Sequence, residues 1–183
     1  VTRADYRQFV GKVFAVQAER LLAHTGGVPG GDLAPHLARL RALYEADPVA
    51  GTEPFPGVAE TLRTLAAQGH RLGVCTQKPA APAEAILRAA RLMPPVESLT
   101  GGDTLPGILK PDPRLLAHAA APLGDAPVVL VGDSETDAET ARAAGIPFVL
   151  VAWGYAHGRL DAIPRDALIG EMRALPDALA RLG

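Results

Sequence analysis

The stretch Val128-Val129-Leu130-Val131-Gly132-Asp133-Ser134-Glu135-Thr136-Asp137 decides how this chain folds. Four apolar residues predict a strand at 128–131, and the glycine marks a turn that carries two carboxylates past its end. A strand that is apolar throughout, rather than alternating, belongs to a parallel sheet covered on both faces. Ligands of such sheets sit at the carboxyl ends of the strands. In the turn after Val131, Asp133 can point into that crevice. Asp137 begins a helix predicted over 136–144, where the dipole favours a carboxylate. Together they could ligate Mg²⁺ or orient its waters. One of the polar residues here could equally serve only to cap the helix.

The same alternation extends outward. Strands are predicted at 71–76, 97–100, 147–152 and 167–169, with helices at 58–68, 81–90, 113–121 and 172–181. Gly69 and Gly145 stop two of the helices. Before residue 50 the pattern is purely helical. Helices are predicted at 6–23 and 33–46, separated by Thr25-Gly26-Gly27-Val28-Pro29-Gly30-Gly31. The connector Thr52-Glu53-Pro54-Phe55-Pro56-Gly57 is the best candidate for a hinge between subdomains. The pattern predicts an α/β region with a parallel sheet over residues 51–183, preceded by a helical region over residues 1–50.

Two other strand ends carry chemistry. Cys75-Thr76-Gln77-Lys78-Pro79 ends the strand at 71–76, and a Thr hydroxyl with adjacent amides can bind a phosphate oxygen there. Lys110, before Pro111, is a point charge on a stiff turn and can neutralise a phosphoryl group. Each alone has a plainer reading: a Thr finishing a strand, a solvated Lys. Gly101-Gly102-Asp103 reads alone as a simple turn. His24, His36, His70, His118 and His157 are scattered without metal-ligand spacing.

Composition narrows the function classes. The 183 residues are 48% hydrophobic but only 4% aromatic, so the core is built from Leu, Val, Ile and Ala. The net charge is −2 without a basic run, which argues against a nucleic-acid partner. No stretch approaches the length of a membrane helix. The single cysteine excludes an intrachain disulfide and fits a reducing cytoplasm.

In combination, the order strand-Thr, Lys-Pro, strand-Gly-Asp-Ser-x-x-Asp resembles the haloacid dehalogenase superfamily, and in particular its bacterial phosphoglycolate phosphatases. Pro56-Gly57-Val58, Gly101-Gly102-Asp103-Thr104-Leu105-Pro106, Lys110-Pro111-Asp112-Pro113 and Ala152-Trp153-Gly154-Tyr155 carry the likeness through most of the chain. The resemblance implies hydrolysis of a small phosphorylated metabolite, such as 2-phosphoglycolate, through an aspartyl-phosphate with Mg²⁺. It implies that Thr76 binds phosphate and that Lys110 stabilises the phosphoryl group. Asp133 would ligate Mg²⁺, and Asp137 would support it through waters. Gln77 stands where relatives usually have Asn, and both offer an amide. The resemblance also implies a Rossmann-like α/β core over residues 51–183 with a small helical cap over residues 1–50, and a homodimer stays open as the assembly.

One element of the pattern is absent. The family's Asp-x-Asp-Gly-Thr, which supplies the nucleophile and the general acid/base from the central strand, occurs nowhere in the 183 residues. The sheet is therefore expected to lack its first core strand. Its removal leaves a gap of about two strand spacings, ~9.6 Å, between the strands ending at Thr76 and Val131, so either these strands close up, another segment fills the gap, or the fold depends on further residues. Val1 is consistent with a reading frame that continues upstream, because an internal GTG can be mistaken for a start. The alternative is a short, catalytically dead relative that binds phosphate ligands or a protein partner.

Overall fold

The strand expected before Gly132 forms β3, Leu130–Gly132. It pairs in parallel with β4, Phe148–Val151, and β4 pairs in parallel with β5, Ala167–Ile169. Upstream, β1, Gly73–Cys75, pairs in parallel with β2, Ser98–Thr100. The computed structural model describes residue 2 and residues 14–28, 30–156 and 158–182. Among them the strands form two separate parallel sheets, β1-β2 and β3-β4-β5. Among these residues β1 and β3 do not pair with each other.

β4 shows why its residues had to be apolar. All four are buried, and alternate side chains serve opposite faces. Val149 and Val151 pack with Leu65, Ile169, Met172, Leu175 and Ala178, which brings in α3 (Val58–Ala67) and α7 (Leu175–Leu182). Phe148 and Leu150 pack with Leu116, Leu130, Ala138, Ala141 and Ile163, which brings in α5 (Pro113–Ala120) and α6 (Glu135–Ala144). A sheet with helices on both faces requires such a strand at its centre.

The β1-β2 pair is anchored by polar groups instead. Ser98 and Thr100 are buried. The Ser98 hydroxyl donates to the Ala119 carbonyl at 2.6 Å, and Thr100 Oγ1 lies 2.9 Å from His118 Nδ1. Both partners belong to α5, which also packs against α6 and so bridges the two sheets. The α5 start is sharply defined: Pro113 needs no amide at the first turn, and the Asp112 carboxylate accepts from the Arg114 N–H at 3.0 Å. The helix α4, Ala80–Ala89, follows β1.

The helix expected at 172–181 divides into a 3₁₀ turn, Met172–Ala174, followed by α7. The reason is Pro176. It has no N–H to give the Met172 carbonyl, so an α-helix cannot run unbroken from Met172. N-terminally, α1 (Phe14–His24) packs on α2 (Ala34–Ala46), which buries none of its own side chains. The part of the predicted first helix at 6–13 lies outside the described residues. In the connector, Phe55 stacks against Trp153 and Tyr155, with ring centroids 6.4 Å away in each case. No helix among the described residues is long and apolar enough to cross a membrane.

Candidate active site

The turn after β3 is built by its own side chains. Ser134 caps α6, its hydroxyl accepting from the Asp137 N–H at 3.3 Å while donating to Asp137 Oδ2 at 2.7 Å. The Asp133 N–H donates to the same Oδ2 at 3.1 Å. The turn closes so tightly that a Cβ on Gly132 would lie 2.5 Å from the Asp137 side chain. The helix-cap reading is thus true of Ser134. It leaves Asp137 Oδ1 for another partner.

That partner is Lys110. Its ammonium donates to Asp137 Oδ1 at 2.6 Å, with the two side chains only 13% and 7% exposed. Two opposite charges at this depth are stable only as a well-bonded pair. Burial would raise the Asp137 pKa, but the Lys110 charge and the hydrogen bonds from Lys110 and Ser134 prevail and hold it below the usual carboxylate value. Asp133 goes the other way. Burial raises its pKa, the Asp137 charge adds to this, and the Tyr155 N–H only partly offsets it. Tyr155 donates to Asp133 Oδ2 at 3.0 Å, and Oδ1 takes no hydrogen bond from the described residues. Gly154 is required beside it, because a Cβ there would run into the Asp133 carboxylate.

The β1 side meets this cluster across the break in the sheet. Gln77 Nε2 donates to the Lys110 carbonyl at 3.5 Å. Cys75, at the end of β1, is close enough to feel both Lys110 and Asp137, although burial dominates and pushes its thiol pKa up. Thr76 continues the pairing beyond β1 through its N–H to the Thr100 carbonyl at 2.9 Å. Its Oγ1 accepts from the Lys78 N–H at 3.1 Å, which leaves its own O–H as a donor. Thr76, Gln77, Lys110, Asp133 and Asp137 are therefore drawn together from three separate loops.

Reading the sequence as a simple turn at Gly101-Gly102-Asp103 missed what that turn does. Asp103 Oδ1 accepts from the Ala80 N–H at 2.7 Å, and the Gly102 N–H donates to the Lys78 carbonyl at 2.9 Å. A Cβ at Gly101 or Gly102 would strike the backbone of Ala80 or Gln77. This turn braces the Thr76 loop. The signal was two glycines followed by an acceptor side chain, at the end of a strand adjacent to β1.

The donors suit a hard divalent cation in kind, since they are carboxylate oxygens. They are few: Asp137 is already engaged on both oxygens, and Asp133 Oδ1 remains. Among the described residues no three His, Cys, Asp or Glu side chains converge on one point. Asp133 and Asp137 are the carboxylates at this turn that could hold such an ion.

Two parallel sheets flanked by helices thus place a buried Lys-carboxylate pair and a Thr loop at the carboxyl ends of their strands, where such folds bind ligands. The sequence profile of the haloacid dehalogenase-like hydrolases matches residues 1–145, and the chain belongs to that family. Among its relatives, the phosphoglycolate phosphatase of Cereibacter sphaeroides strain ATCC 17029 is 40% identical over 182 residues, covering 99% of this chain and 83% of that protein. The phosphoglycolate phosphatase of Caulobacter vibrioides is 36% identical, covering 97% of this chain and 76% of that protein. The solved structure of a predicted phosphoglycolate phosphatase from Haemophilus somnus superposes with a TM-score of 0.86 at 24% identity, covering 98% of this chain and 83% of that one; this is a likeness of fold.

Proposed function

We propose that this chain carries the phosphate-binding and charge-stabilising wall of a phosphomonoesterase that acts on 2-phosphoglycolate or a similar small phosphate ester. The buried Lys110–Asp137 pair, beside the Thr76 loop at the carboxyl ends of β1 and β3, carries the reading. Thr76 binds a phosphoryl oxygen through its O–H, and Gln77 supports the loop through its amide. Lys110, fixed by Asp137, presents positive charge to the equatorial oxygens, where negative charge grows in the transition state. Asp133, whose Oδ1 takes no hydrogen bond from the described residues, and behind it Asp137, would hold Mg²⁺. The cation would add further charge neutralisation there. The helices before residue 50 act as a cap over this mouth.

The attacking group is an aspartate on a strand that would lie between β1 and β3, forming an aspartyl-phosphate that water then cleaves. No Asp-x-Asp-Gly-Thr occurs in the 183 residues. Phosphate release from 2-phosphoglycolate with Mg²⁺ tests the proposal, comparing the 183 residues with a chain extended by an apolar strand ending in that motif. The extended chain should hydrolyse the ester at a rate several orders of magnitude above the 183 residues alone. Equal rates would overturn the assigned nucleophile. No hydrolysis by either would favour a relative that only binds phosphate ligands.

A further inference from the structure

Lys78 is a second cation on the loop that carries Thr76, and nothing in the reaction as described uses it. It lies two residues after Thr76 on the braced loop. Its N–H is bonded to Thr76 Oγ1 and its carbonyl accepts from the Gly102 N–H. The backbone at Lys78 is thus as firmly held as the Thr76 loop itself. The side chain is held from the other direction. Its ammonium donates to the Tyr44 hydroxyl at 2.7 Å and stands 4.9 Å from the centre of the Tyr44 ring. Tyr44 belongs to α2, so this contact joins the N-terminal helices to the phosphate loop.

The two lysines differ in charge balance. Lys110 is matched by Asp137. Lys78 has no carboxylate within ion-pair reach among the described residues. A phenol oxygen and a ring face orient an ammonium without neutralising it. Thr76 and Lys78 are also close in chain, at most about 7 Å apart along the backbone. One small molecule with a phosphate at one end and a second anion a carbon or two away can reach both.

We infer that Lys78, positioned by Tyr44, binds the carboxylate of a phosphorylated small acid while Thr76 and Lys110 hold its phosphate. This rests on the phosphate-binding reading of Thr76 and Lys110. It makes Lys78 the residue that selects acids from neutral phosphate esters, and Tyr44 its positioning residue. A single ammonium on a flexible stem suits one carboxylate, whose charge is that of one cation.

The test compares two ligands of equal length, 2-phosphoglycolate and 2-hydroxyethyl phosphate, which carries a hydroxymethyl group in place of the carboxylate. Dissociation constants are measured by calorimetry on the whole chain. The wild type should bind 2-phosphoglycolate about tenfold or more tighter, the size of one charge-assisted hydrogen bond. Lys78→Met should erase that preference and leave 2-hydroxyethyl phosphate unchanged, Lys78→Arg should restore much of it, and Tyr44→Phe should reduce it partly. Equal weakening of both esters by Lys78→Met, or a preference that survives it, would overturn the inference alone. Failure of the wild type to bind either ester would overturn the phosphate site and this inference with it.

Discussion

The two halves of the sheet are held together by different physics. In the β3-β4-β5 half, β4 is buried at every position and its side chains feed two apolar clusters. In the β1-β2 half, all three β1 residues are partly exposed or exposed, and β2 is fixed by Ser98 and Thr100 bonding to α5. The halves do not pair with each other. Across the break they are joined by α5, by the Lys110–Asp137 pair and by Gln77. The apolar half specifies the fold, and the polar groups at the seam specify the site. The seam is where a phosphoryl group would find Thr76 from one half and Asp133 from the other.

The comparison is broken most severely at the seam. Lys110→Met strands the Asp137 carboxylate in a buried position beside Asp133, and should lower stability by about 3–5 kcal/mol in denaturant unfolding. A loss below ~1 kcal/mol would mean the pair holds nothing together. Next comes the centre of the apolar half. Leu150 is completely buried, so Leu150→Ala should cost about 3 kcal/mol. Val131→Ala, on the partly exposed β3 edge, should cost clearly less. Equal losses would show that the β3 edge is as well packed as β4.

Gly154→Ala sharpens the same contrast on a smaller scale. Its Cβ has to displace the Asp133 carboxylate, at about 1–3 kcal/mol. It should weaken Mg²⁺ binding in a titration more than it weakens folding. The smallest effect has the opposite sign. The folded state raises the Asp133 pKa, so ionising this group costs stability above its ordinary value of 3.8, and the cost disappears as pH falls through the raised pKa. Asp133→Asn should therefore raise stability near neutral pH and, on the proposed function, abolish Mg²⁺ binding. Asp137 behaves inversely. Its lowered pKa contributes stability that is present above its unfolded value and lost as pH falls through the folded one. Unfolding curves across the acid range separate the two.

Much of this organisation was legible in the chain. The run Phe148–Val151 reads as a strand covered on both faces because four consecutive apolar residues between a helix and a turn have the length of a strand and are too short for a helix. The separation of β1 from β3 among the described residues accords with the absence of Asp-x-Asp-Gly-Thr from the sequence. What the sequence hid were contacts between segments distant in the chain. Ser98 and Thr100 look like surface residues until α5 supplies their partners. Asp103 looks like a turn residue until Ala80 arrives beside it. The break at Pro176 was readable from proline's missing N–H, but the apolar spacing masked it. Lys78 resembled any solvated lysine, because Tyr44 lies 34 residues earlier.

A ¹⁵N-resolved NMR titration with 2-phosphoglycolate reads whether one phosphate site spans the seam. The account predicts saturable shifts, with a single dissociation constant, at the amides of Thr76, Gln77 and Lys78 in one half and of Asp133 and Ser134 in the other. Shifts confined to one half, or centred away from the carboxyl ends of β1 and β3, would contradict it.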